Sequence, residues 1–276
     1  MFKRKRAKYP DTKLKFRTTA QEENNRRRLG WGIFIVVLVL LILASTVVIL
    51  KQTGVTEKMG KQKLETGSTN MKEKVNIMVG GSSEDGKLLF IGRLNINTSS
   101  GEMKVKMYNP ATVYKGKSYA QMYQGDAASA DALSKAFGKS IGETMDRYAI
   151  VNEISASSVG FDLGFTTVKI PKDINYSTSK WSVKLEKGEQ DLGGSDMFNY
   201  IRYYGLSKSG SGYRNQAKLI AAVVEQALNK DNAANGQQIF ESLSDDMQTN
   251  LGISDYANYA PFIEGISKIS HKVEVG

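Results

Sequence analysis

The sequence predicts a mixed α/β (α+β) domain, a central mixed sheet flanked by helices, preceded by one transmembrane helix. Three observations carry that prediction. An uncharged run of 22 residues lies between Arg28 and Lys51. Apolar, β-branched runs separated by Gly, Ser and Asn turns fill residues 75–108, and apolar positions at helical spacing recur from residue 127 onward. Strands and helices in this irregular order suit one domain over 74–276 rather than a repeat array.

The first element is the span. The run LGWGIFIVVLVLLILASTVVIL (29–50) is broken only by small or hydroxyl residues. At about 1.5 Å per residue it reaches roughly 33 Å, enough for a hydrocarbon core of about 30 Å. A signal peptide's apolar region is shorter, about 7 to 15 residues, and ends at a cleavage site. Residues 1–28 hold eleven Lys and Arg against three acidic residues, so the positive-inside rule puts this tail in the cytoplasm and everything after the span outside the cell. The expected organisation is a basic tail (1–28), a span (29–50), a polar stalk (51–73) and an extracellular domain (74–276), with the bilayer itself as the first partner.

Beyond the tail the chain carries 27 basic against 25 acidic residues. A basic face for nucleic acid therefore has no support, although the whole chain has a net charge of +10. There is no Cys, and the one His is His271, so disulfides, cysteine nucleophiles, zinc sites and Ser-His-Asp catalysis are excluded or unsupported. Neither GSSEDG (81–86, with its preceding Gly) nor SGSG (209–212) has the Lys-Ser/Thr spacing of a phosphate-cradling loop.

Within the domain, residues 75–79 open a strand, 80–86 read as a turn, and 88–96 and 105–108 as neighbouring strands around the turn NTSSG. Residues 127–147 read as a helix interrupted near Gly138 and Gly142, and 168–171 as another strand. Helices are expected at 195–204 and 216–229, joined by a flexible loop, GLSKSGSG (205–212). Further helices are expected at 239–247 and 256–269, and a last strand at 272–275. Tyr203, Tyr204 and Tyr213 bracket the 205–212 loop, where aromatic faces suit sugar or lipid as well as core packing.

The second half resembles the LytR-CpsA-Psr family of Gram-positive envelope proteins. GETMDRYAIVN (142–152) is similar to the family's helix-to-strand segment, and VGFDLGFTTVKIPKDINY (159–176) to its hairpin. KGEQDLGGSDMFNYIRYY (187–204) is similar to a Gly-x-Gln-x-Leu-x-Gly turn followed by a helix ending Tyr-x-Arg-x-Arg. RNQAKLIAAVVEQAL (214–228) stands where the family has Arg-Gln and its next helix, with IFESLSDDMQTNLGISDY (239–256) as a weaker continuation. The resemblance implies the same layout of tail, span and exterior domain. For active members it implies transfer of a glycopolymer from a polyprenyl-pyrophosphate carrier to peptidoglycan, such as teichoic acid or capsule. That chemistry needs Arg against phosphate charge and carboxylates for Mg²⁺ or for activating a sugar hydroxyl.

Here the charged positions are largely lost. The family's Arg-Ser-Asp element falls on Lys87, Leu88 and Leu89. Its Ile-Pro-Arg-Asp-Thr element falls on 108–112, where Pro110 and Ala111 replace Arg and Asp and only Thr112 is kept. Tyr200 and Arg202 match, but the second Arg is Tyr204; Gln216 matches, with Arg214 one residue off register. Since one transition-state contact is worth about 2.7 to 4 kcal/mol, these losses predict a pseudoenzyme with no resident cofactor, or Mg²⁺ only if active.

The expected function is envelope glycopolymer assembly through binding of a polyprenyl-linked carrier or a partner protein. Two alternatives stand beside it: an active transferase rewired around Lys87, Arg202, Arg214 and Asp173, and a wall-facing scaffold without a small ligand. The expected ligand contacts are Arg202, Tyr200, Tyr204, Gln216, Thr112, Ile220 and Val223, the last two in a lipid-sized groove between helices 195–204 and 216–228. Arg202 has a second reading, as the partner of a structural carboxylate such as Asp146 or Asp173.

Overall fold

A computed structural model describes residues 72–153, 156, 165–244, 247–269 and 271–276. The expected tail, the span and all but the last two residues of the stalk lie outside the described residues. Among those described, no helix is long and apolar enough to cross a membrane.

In chain order, β1 (Lys74–Ser82), β2 (Leu88–Asn97) and β3 (Met103–Tyr108) form an antiparallel meander. A small hairpin, β4 (Val113–Tyr114) and β5 (Lys117–Ser118), leads into α1 (Tyr119–Met122) and α2 (Ala127–Ser140). Strand β6 (Arg147–Asn152) then lies parallel to β1. Next come β7 (Thr166–Ile170), β8 (Ile174–Ser177), β9 (Ser182–Leu185) and β10 (Gly188–Leu192), with β7 paired to β10 and β8 to β9. Helices α3 (Gly194–Leu206), α4 (Gly210–Ala227), α5 (Lys230–Ala234) and α6 (Gly236–Ser244) follow. The chain closes with β11 (Met247–Thr249), α7 (Ile253–Ser267) and β12 (Val273–Val275). The main sheet has six strands in the order β11-β6-β1-β2-β3-β12, mixed in direction.

The alternation of the strands decides the layers. Ile77, Val79, Leu94, Ile96 and Val105 face α3 and α4, where Leu219, Ile220, Val223 and Val224 complete the larger core. Met78, Ile91, Tyr148 and Ile150 point the other way, onto Leu133 and Phe137 of α2 and Tyr119 of α1. Strand β1 is thus covered on both sides, which is why it reads as a continuous buried run rather than an alternating one. The link from α2 to β6 is pinned by Asn76, which donates from its backbone N–H to Asp146 (2.9 Å) and from its amide to Glu143 (3.2 Å).

Several expected boundaries are corrected. The helix expected to run to residue 147 ends at Ser140; Gly142 takes a positive φ of 73°, and Arg147 begins β6, as the family resemblance implies. The expected turn over 80–86 shrinks, because Gly80 to Ser82 continue β1 and pair with β2 and β6. The loop expected over 205–212 contracts to residues 207–209, since α3 runs on to Leu206 and Ser209 caps α4. The Ser209 hydroxyl accepts from the Gly212 N–H, so Gly210 to Gly212 become the first turn of α4. Met247 belongs to β11 and not to the preceding helix. The hairpin that the resemblance implies over 159–176 lies partly outside the described residues; in its described part β7 pairs with β10, and β8 forms a hairpin with β9 instead.

Candidate functional site

Helices α3 and α4 meet at a close crossing made possible by Gly212, where a Cβ would lie 2.5 Å from the Tyr204 carbonyl oxygen. The crossing is locked by Gln216, which is buried and donates from Nε2 to the Ile201 carbonyl (2.7 Å). Its Oε1 has no partner among the described residues, and neither do the hydroxyls of Tyr200, Tyr204 and Tyr213. Burial pushes the phenols of Tyr200 and Tyr204 above their ordinary range.

Where α3 ends and α4 begins, a pocket of about 500 Å³ opens against the β7–β8 turn. Tyr176, Tyr203, Tyr204 and Leu206 supply its apolar surface; Lys172, Ser207, Ser211 and Asn215 supply its polar edge. The aromatic wall is continuous. Tyr203 meets Tyr204 at 5.2 Å and Tyr176 at 5.8 Å between centroids, and Tyr176 meets Trp181 at 4.9 Å. Leu206 is 51% exposed beside it.

Arg202 lies behind that wall. Its guanidinium sits 4.7 Å from the Trp181 ring centroid and donates from Nη1 to Glu153 Oε1 at 2.7 Å. Only 15% of the Arg202 side chain and 26% of the Glu153 side chain are exposed. The expectation of a structural carboxylate is met by a different residue from the two named. Asp146 binds Lys72 (2.5 Å), and Asp173 accepts from the Lys187 N–H (2.7 Å).

The remaining expected residues are not brought together with Arg202. Lys87 pairs with Asp85 (2.6 Å) in the β1–β2 loop, and Thr112 sits in an exposed turn, accepting from the Tyr119 N–H through its carbonyl. Arg214 is exposed on α4. Ile220 and Val223 are fully buried in the core rather than lining an opening, and Leu219 and Val224 are the same. Tyr200 too is wholly inside. Sequence reasoning missed Glu153, Tyr176, Trp181 and Leu206. Nothing local marks Glu153.

The Mg²⁺ that the family's chemistry implies does not fit these residues. Leu88, Leu89, Pro110 and Ala111 offer no side-chain oxygen. In the β1–β2 loop that precedes Leu88, Asp85 is taken by the Lys87 ammonium and the Ser83 hydroxyl, which hold its carboxyl at about 2. Among the described residues no three His, Asp or Glu side chains gather as a metal would require.

The architecture, a mixed sheet between helices, recurs in solved bacterial proteins. It matches a putative transcription regulator from Eubacterium siraeum (TM-score 0.65, 14% identity, 80% of this chain and 89% of that one). TagV from B. subtilis gives a TM-score of 0.59 at 18% identity over 74% and 84% of the two chains. TagT, solved bound to LI-WTA, gives 0.54 at 16% over 74% and 78%. Residues 96–274 match the LytR_cpsA_psr family. The chain therefore belongs to the LytR-CpsA-Psr family, whose members attach glycopolymers in the cell envelope. Among curated proteins it has no match.

Proposed function

We propose that this chain is a membrane-anchored, cell-exterior member of its family that holds an envelope glycopolymer, or the glycan of its polyprenyl-linked carrier, without transferring it. The observation that carries this reading is the Arg202–Glu153 pair. The one Arg that matches the family's paired arginines spends its charge on a carboxylate of the same chain, where a phosphate-transfer site needs uncompensated cations. The pocket next to it supports binding in place of chemistry. Flat aromatic faces and short hydroxyl and amide side chains suit the alternating apolar and polar surface of a sugar. Burial of Ile220 and Val223 favours the glycan over the lipid tail as the part held.

The test is binding of a soluble wall-glycopolymer fragment to the full chain in detergent. Saturable binding is expected, weakened about tenfold, or by about 1.4 kcal/mol, in Tyr203→Leu with unfolding unchanged. With a polyprenyl-pyrophosphate donor and Mg²⁺, both the wild type and Arg202→Ala should stay at background. Magnesium-dependent turnover lost in Arg202→Ala would establish the rewired enzyme instead. No binding of any glycan fragment would favour the scaffold.

The topology follows from the basic tail preceding the apolar run. Protease added to wall-free cells is expected to remove the domain while sparing the first 28 residues. Survival of the domain, under digestion that removes an exterior control, would reverse the orientation.

A further inference from the structure

Glu153 follows Asn152, the last residue of β6, at the sheet end where Asn152 pairs with Ser82 of β1. The strand delivers its carboxylate 49 residues along the chain to Arg202. Three features make this more than a surface ion pair. The guanidinium is largely buried, it lies over Trp181, and its anion is a half-buried carboxylate carried by the residue that directly follows the last residue of β6. A charged hydrogen bond in such surroundings is stronger than one in water.

We propose that Glu153 is a built-in anion occupying the place at Arg202 that a phosphate oxygen would take, and that it thereby keeps diphosphate off this guanidinium. This rests on the reading of the chain as a member that binds without transferring, but its central claim concerns Arg202 alone. A carboxylate tethered in this way competes at an effective concentration on the order of millimolar or above. Free diphosphate at lower concentration does not displace it. Exchanging the carboxylate for an amide of the same shape removes the competitor and leaves the guanidinium with an unbalanced positive charge. Diphosphate, with oxygens spaced for the Arg fork, then becomes the better partner.

The experiment is calorimetric titration of the full chain in detergent with inorganic diphosphate. Wild type is expected to show no saturable binding in the millimolar range. Glu153→Gln is expected to gain affinity by about tenfold or more, the worth of a hydrogen bond between charged groups. Arg202→Gln added to Glu153→Gln should erase the gain, and the ring environment of Trp181 should give a diphosphate-dependent fluorescence change in Glu153→Gln only. Glu153→Ala provides a second route to the same vacancy. A folded Glu153→Gln protein with wild-type behaviour towards diphosphate would overturn the proposal. So would diphosphate binding by the wild type at equal strength, or a gain that persists without Arg202. If both Glu153 variants fail to fold, Glu153 is a structural clamp and not a displaceable anion, and the proposal also falls. Glycan binding by wild type is read separately, so its absence would count against the pocket and not against Glu153.

Discussion

Ile220→Asp is expected to leave the domain unfolded. Ile220 has no solvent exposure and packs in the larger core, within the stripe of α4 that faces the sheet. Truncating a buried Ile alone costs about 2 to 5 kcal/mol. A carboxylate left there without a partner adds several kcal/mol, whether it stays charged or takes up a proton. The sum rivals the whole stability of an ordinary domain, about 5 to 15 kcal/mol. Ile220→Val, which removes one methylene, should cost only about 0.5 to 1.5 kcal/mol and serves as the control. Urea unfolding followed by far-UV circular dichroism separates the cases. A cooperatively folded Ile220→Asp protein would mean that this side of α4 faces an open groove, and the carrier-lipid site would return.

Gly81→Val should be the next most damaging change, at about 3 kcal/mol or more. Gly81 pairs with Phe90 across β1 and β2, beside the irregularity between Gly81 and Ser82. A Cβ at this position would lie 2.1 and 2.2 Å from two carbons of the Phe90 ring. The ring has nowhere to go, being almost fully buried and set edge-on to Phe198 at 5.9 Å. A double-mutant cycle with Gly81→Ala and Phe90→Ala tests this directly. Phe90→Ala costs about 3 to 5 kcal/mol by itself. In that background Gly81→Ala should become nearly neutral, a coupling of at least about 1 kcal/mol. Additive costs would show that the ring escapes to another rotamer, and the close approach of α3 to β2 would not depend on glycine.

Much of the fold was legible in the sequence because its signals are local. The stripe of Leu219, Ile220, Val223 and Val224 announces a helix with one apolar side, and the alternation in β3 announces a strand with one buried face. Helix ends were less legible. Composition alone puts Gly210 to Gly212 in a loop, whereas the Ser209 cap and the tight contact with Tyr204 draw them into α4. Strand β8 carries only Ile174 and Tyr176 as larger apolar side chains, too few to mark the hairpin although its partner β9 follows close by in the chain.

By itself the sequence determined that Leu89, Pro110, Ala111 and Tyr204 bring no formal charge to their positions, because side-chain chemistry is a property of each position. It also determined that the helix 216–228 has an apolar side. Only the tertiary structure decided what that side meets, since periodicity specifies a face and not its occupant: the stripe lies against the sheet in a closed core. The same holds for Arg202, whose partner Glu153 arrives from just beyond another strand and whose ring platform, Trp181, arrives from a hairpin. A long-range ion pair leaves no pattern along the chain, because its energy depends on distance and burial in space, and both are set only when the sheet and helices have packed.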